Sequence, residues 1–161
     1  MSGGSLGMPN DTRQRRTFVG SVSNCFANYA TFSGRAPRAE FWYFFLFLQL
    51  VSFAAAIIDV ATDAHIFGPL VALACFLPGT AVQVRRLHDL DRTGWWCGAY
   101  LVVVAIYFIA QDQGQGLGLA VLLLFAGGIV LWVWNCTRGT SGPNSYGADP
   151  LAGDARGPAP A

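Results

Sequence analysis

The side chains best equipped for chemistry are concentrated in the run RRLHDLDR, Arg85 to Arg92, where one imidazole and two carboxylates stand among three guanidinium groups. His88, Asp89 and Asp91 are the types a proton relay or a metal centre would use. A metal centre needs three or four convergent ligands. Here three cations compete for the carboxylates and no second histidine adjoins. Cys25, Cys75, Cys97 and Cys136 are widely spaced and form no CxxC pair, so they read as free thiols. The expectation is no metal, no cofactor and no catalytic residue. If a helix continues through the segment, Arg85 and Asp89 lie four apart and Asp89 and Arg92 three apart, on one face where they can pair. The expected arrangement is a structural ion-pair network of Glu40, His88, Asp89, Asp91 and Arg92.

A second cluster is FSGRAPRAEFW, Phe32 to Trp42. Gly34 permits a tight turn and Pro37 suits a first helical position. Arg35 and Arg38 then stand at a helix N-terminus, where free N–H groups and the positive dipole end favour an anion. Lipid phosphate is the nearest anion to a membrane helix. Arg35, Arg38, Arg85 and Arg86 are therefore the candidates for lipid or anion binding. Alternatively, Arg35 or Arg38 pairs with Asp89 or Asp91 and ties the first long helix to the middle connection. A third polar run, NCTRGTSGPNSYGADP from Asn135 to Pro150, is dense in turn formers and contains no phosphate loop.

The elements holding these clusters are apolar. Hydrophobic residues make up 53% of the 161-residue chain and charged residues 12%, against roughly 25% charged in soluble domains. Long uncharged runs cover 41–58, 66–84, 94–110 and 117–134, each near the roughly 20 residues that cross a bilayer. Aromatic residues flank them, with Phe41, Trp42 and Tyr43 before the first, Trp95 and Trp96 opening the third, and Trp132 and Trp134 closing the fourth. Pro78 interrupts the second run and predicts a bend near Ala74. Gly127-Gly128 and the Gly94/Gly98 pair would allow close helix packing. Before the first run, Phe18 to Ala30 has helical periodicity but is too short and polar to span. It reads as an amphipathic helix in the membrane interface, or as a cap across the bundle's end.

The predicted fold is an all-α membrane protein: four transmembrane helices preceded by a short interfacial helix. Residues 1–16 and 151–161 read as disordered tails around a membrane domain at 17–150, and no cleaved signal peptide is expected. All ten arginines fall in the N-terminal region, the middle connection or the C-terminal region, while the other two loops carry Asp59, Asp63 and Asp112. Under the positive-inside rule both termini are cytoplasmic. A net charge of +1 excludes nucleic-acid binding driven by bulk charge.

The three polar clusters, in this order, resemble the domain-of-unknown-function 805 (DUF805) family of small bacterial inner-membrane proteins. The matching residues are FSGRAPRAEFW, Pro78, VRRLHDLDRTGWW from Val84 to Trp96, and GTSGPNSYGADP from Gly139 to Pro150. Pro37 stands where similar proteins often have a serine that would cap the helix and pair with Glu40. The resemblance implies a bacterial inner-membrane location and no particular activity. The expected function is a non-enzymatic one, exercised through lipid or protein contacts at the cytoplasmic face. The partners expected are the bilayer, anionic phospholipid, and a second copy or another membrane protein. The alternatives are a small transporter or channel subunit, and a membrane enzyme using His88 with Asp89 or Asp91.

Overall fold

The computed structural model describes residues 17–112 and 118–152. They form five helices: α1 (Phe18–Ala27), α2 (Arg38–Thr62), α3 (Phe67–Asp89), α4 (Trp95–Asp112) and α5 (Gly118–Cys136). No strand occurs among the described residues, only an isolated bridge between Asn144 and Gly147. Three helices, α2, α3 and α5, are long and apolar enough to cross a membrane, and the apolar part of α4, Trp95–Gln111, is shorter. The expected N-terminal tail, most of the C-terminal tail and most of the loop between α4 and α5 lie outside the described residues.

Two boundaries differ from the sequence reading, for one physical reason. Asp59 belongs to the last turn of α2, not to a loop, and Arg85 to Asp89 complete α3 instead of forming a connection. Hydropathy stops at a charge, but helical hydrogen bonding does not, and arginine is a good helix former. Pro37 likewise sits one residue ahead of the helix, extended at φ −68° and ψ 161°. The αL conformation of Asp63, at φ 52°, ends α2.

The helices pair as two hairpins, α2 with α3 and α4 with α5, and α1 lies against the first half of α2. Phe26 meets Phe44 and Phe47 edge-on, and Phe18 meets Tyr43. These contacts surround a small core of Cys25, Ala36, Phe41, Phe44 and Val82. Two residues past the end of α1, the Tyr29 hydroxyl reaches α3 and donates to the Ala74 carbonyl at 3.1 Å. That carbonyl lies four residues before Pro78, which has no N–H to offer it. In the other hairpin, a Cβ on Gly127 would stand 3.0 Å from the Tyr100 ring, so glycine allows the approach of α4. Gly94 has the same role against Val84, whereas Gly98 faces only Trp95 of its own helix. The outward faces are apolar: Phe53, Leu73 and Phe125 are 69%, 74% and 68% exposed. Apolar surface on that scale suits lipid, not water.

Candidate functional site

The three polar clusters converge at one end of the helices, around the C-terminus of α3. The last carbonyls of a helix have no partner within it. Here the other two clusters supply them. Ala36 N–H donates to the Arg85 carbonyl at 3.0 Å, Asn144 Nδ2 to the His88 carbonyl at 2.8 Å, and Thr140 N–H to the Asp89 carbonyl at 2.9 Å. The chain's own turn adds Arg92 N–H on the Leu87 carbonyl at 2.9 Å.

Asp89 is the centre of the side-chain network. Its Oδ1 accepts from Arg35 Nε at 3.0 Å and its Oδ2 from Arg86 Nη1 at 2.6 Å. Arg35 continues outward, donating to the carbonyls of Thr140 and Gly142, each at 2.6 Å. Arg86 reaches the end of α5, where Nη2 donates to the Thr137 carbonyl and lies 3.4 Å from the carbonyls of Trp134 and Asn135. A cation there also opposes the negative end of the α5 dipole. Gly139 packs directly on Asp89, and a Cβ at that position would collide with the carboxylate.

A second pair lies beneath it. Arg85 Nη1 donates to Glu40 Oε1 at 2.7 Å, and Cys25 Sγ stands 3.9 Å from the same oxygen. Burial, with Glu40 alongside, pushes the Cys25 thiol up to about 12. Its thiolate is therefore negligible near neutrality, and the residue packs as a small apolar group.

Of the residues anticipated as lipid or anion contacts, Arg35, Arg85 and Arg86 are buried, at 6%, 4% and 0% exposure, with their guanidinium groups turned to carboxylates and carbonyls. Arg38 is exposed and donates to the Cys136 carbonyl at 3.3 Å. The anticipated pairings of Arg85 and Arg92 with Asp89 do not form. Arg85 takes Glu40 instead, and Arg92 lies over the Trp134 ring, 4.2 Å from its centroid. His88 stacks on Tyr146 with centroids 3.9 Å apart, while its Nδ1 is 3.2 Å from the Gly34 carbonyl. Asp91 accepts from Ser145 N–H at 3.2 Å. His88, Asp89 and Asp91 thus each serve a different partner, and no metal-ligating group of three forms among the described residues.

The sequence marks Gly142, Asn144 and Gly147 only as turn formers, and gives no sign of the roles of Thr140, Asp149 or Asp59. Thr140 and Asn144 hold the third cluster to α3, and Asn144 also closes the turn through Gly147. Gly142 and Gly147 adopt φ of 77° and 133°, conformations that favour glycine. Asp149 accepts from Leu151 N–H at 2.8 Å and Gly142 N–H at 3.0 Å. Those two donors, with Arg35 and Arg138 nearby, hold its carboxyl below the usual carboxylate range. At the opposite end of the bundle, Asp59 accepts from the N–H groups of Ile66, Phe67 and Gly68 at 2.8–2.9 Å and so caps α3.

The family model described as "Protein of unknown function (DUF805)" matches residues 29–148, a stretch holding the first two clusters and the third as far as Ala148. The chain belongs to the DUF805 family. Among its relatives, Inner membrane protein YhaI of Escherichia coli K12 is 38% identical over 128 residues, covering 78% of this chain and 91% of the relative. Inner membrane protein YhaH of the same strain is 34% identical over 129 residues, covering 76% and 89%. The uncharacterized protein YiiR is 32% identical over 140 residues, covering 74% and 85%. No solved structure matches the chain. This DUF805 protein is thus similar along most of its length to bacterial proteins named for the inner membrane.

Proposed function

We propose that this DUF805 protein spans the bacterial inner membrane four times, with both termini cytoplasmic. It acts without chemical turnover, through lipid and protein contacts at its arginine-bearing rim. The carrying observation is a division of labour among the arginines. Arg35, Arg85 and Arg86 are buried in pairs that stitch the rim together, whereas Arg38, Arg92 and Arg138 are exposed around it. Arg38 shares a shallow recess with Trp42, Tyr43 and Cys136, a cation beside interface-seeking aromatics that suits a phosphate headgroup. α4 joins the three longer helices as a fourth span, its shorter apolar stretch flanked by Trp95 and Trp96. The membrane domain then runs from 17 to 150, as the sequence suggests.

Retention of phosphatidylglycerol by the purified protein, measured by native mass spectrometry, tests the lipid contact. Arg38→Gln with Arg92→Gln should weaken retention several-fold, whereas unchanged retention would remove it. Labelling of a cysteine placed at Asp63 by an impermeant reagent in intact cells tests the orientation. A cytoplasmic Asp63 would overturn it.

A further inference from the structure

Between the two helical hairpins lies a cavity of about 610 Å³ to which α2, α3, α4 and α5 all contribute. That volume falls in the range of small-molecule sites. Its walls are mainly aromatic and aliphatic, with Phe45, Phe76 and Trp132 among them. No Asp, Glu, Lys, Arg or His lines it. A charged occupant would meet no counter-ion, and an ion pathway would find none of the ionisable groups that mark such routes.

Polar groups nevertheless face the cavity. Gln49, close to the midpoint of the 25-residue α2, brings a full amide to the open side of the wall, joined by Ser52 one turn later, both of them exposed, and by the half-buried Tyr100 across the gap. None of the three makes a hydrogen bond among the described residues. The neighbouring polar groups behave otherwise. Thr80 donates back to the Phe76 carbonyl at 2.7 Å, and Gln83 and Asn135 exchange two amide bonds at 3.2 Å. An unpaired amide in a hydrocarbon environment is costly. Gln49 would be a poor choice at mid-span unless something else completes it.

We propose that this cavity binds a neutral, membrane-dissolved lipophile whose hydroxyl or carbonyl oxygen bonds the Gln49 amide while its chain or ring lies against the aromatic walls. The inference rests on the membrane reading above. An amide offers both a donor pair and an acceptor, so it suits either oxygen type. Ser52 and Tyr100 supply further donors for a carbonyl.

The test uses the full chain in phosphatidylethanolamine–phosphatidylglycerol vesicles and three photoreactive diazirine probes of equal length: a long-chain alcohol, the matching alkane and the matching fatty acid. The alcohol should label the segments around Gln49 and Phe76, and excess unlabelled alcohol should compete it away. Labelling by the alkane and the fatty acid should be weaker. Gln49→Leu should cut alcohol labelling about five-fold, the worth of one hydrogen bond, without lowering the unfolding midpoint. Ser52→Phe, which fills the space, should cut it independently. Equal labelling by alkane and alcohol, unaffected by Gln49→Leu, would mean simple packing of acyl chains and overturn the proposal. Efficient disulfide dimers of Gln49→Cys would assign the amide to a second copy and overturn it too. Release of the protein from carbonate-washed membranes would sink the membrane reading itself; retention without labelling would sink only the cavity proposal.

Discussion

Asp89 shows how much one carboxylate carries when its neighbours are arranged around it. Two buried guanidinium groups depend on it, so removing its charge strands both. Breaking a buried ion pair from one side costs about 3–5 kcal/mol, because the remaining charge has lost its counter-ion and cannot reach water. Asp89→Asn should therefore lower stability by about that amount, measured by unfolding in mixed micelles. Asp91→Asn, which gives up one contact to an exposed N–H, should stay within about 0.5 kcal/mol of the parent. The Glu40–Arg85 pair is less completely satisfied: Glu40 Oε2 and Arg85 Nε and Nη2 have no hydrogen-bond partner among the described residues. Its net worth against apolar residues of similar volume is correspondingly smaller. Asp149 sets the pH response of the third cluster. Its folded carboxyl titrates below the ordinary value of 3.8, so its stabilisation is fully present above that value and is lost as pH falls through the lower, folded value. Protection of the Gly142 and Leu151 amides, taken relative to the intrinsic exchange rate at each pH, should fall below about pH 4, and Asp149→Asn should remove that pH dependence.

At the scale of elements, the helices were legible in the sequence and their ends were not. Uncharged runs mark where hydrocarbon can surround a chain, and four of the five helices lie over them. The ends depend on who satisfies the last backbone groups, and those partners are remote in sequence. Asp59 is an acid at the edge of an apolar run until the three N–H groups at the start of α3 fold onto it. The α3 C-terminus is closed by residues more than 50 positions away, such as Thr140 and Asn144. Clustering of Gly, Asn and Thr signals turns there but not their target. Pro78 could be seen in the sequence as a residue with no N–H for Ala74, though α3 runs on through it from Phe67 to Asp89; the hydroxyl that answers the Ala74 carbonyl, Tyr29, could not. This gives a test by double substitution. Tyr29→Phe should cost about 1 kcal/mol in the parent, since Ala74 then loses the hydroxyl that stands in for the missing Pro78 N–H. In a Pro78→Ala background the restored N–H can serve Ala74, and Tyr29→Phe should cost close to nothing. Equal costs in both backgrounds would show that the hydroxyl and the proline are unrelated.

For the whole molecule, the informative pattern is where the two hairpins touch. Among the described residues, the hydrogen bonds and ring contacts between α2–α3 and α4–α5 all lie toward one end. They involve Arg38, Trp42 and Phe45 on α2, Gln83 and Arg86 on α3, and Trp132 to Thr137 at the close of α5. The sequence placed its arginines at this end but could not show that three would turn inward, because burial depends on partners contributed by all three clusters at once. Beyond Phe45 and Gln83 the cavity opens between the hairpins. Regions held by few contacts open at lower free energy than those held by many. The two hairpins should therefore behave as bodies clamped at the rim and freer at the opposite end. Pulsed electron–electron resonance between paired spin labels reads this directly. Labels at Ala39 and Arg138 should give a narrow distance distribution, and labels at Thr62 and Leu119 a broad one. A neutral lipophile that fills the cavity should narrow the second distribution and leave the first unchanged. Asp89→Asn should do the reverse, broadening the rim distribution by releasing Arg86 from the end of α5. Two distributions of equal width in the lipid-reconstituted protein would mean that the hairpins form one rigid bundle, and that the rim network is not what joins them.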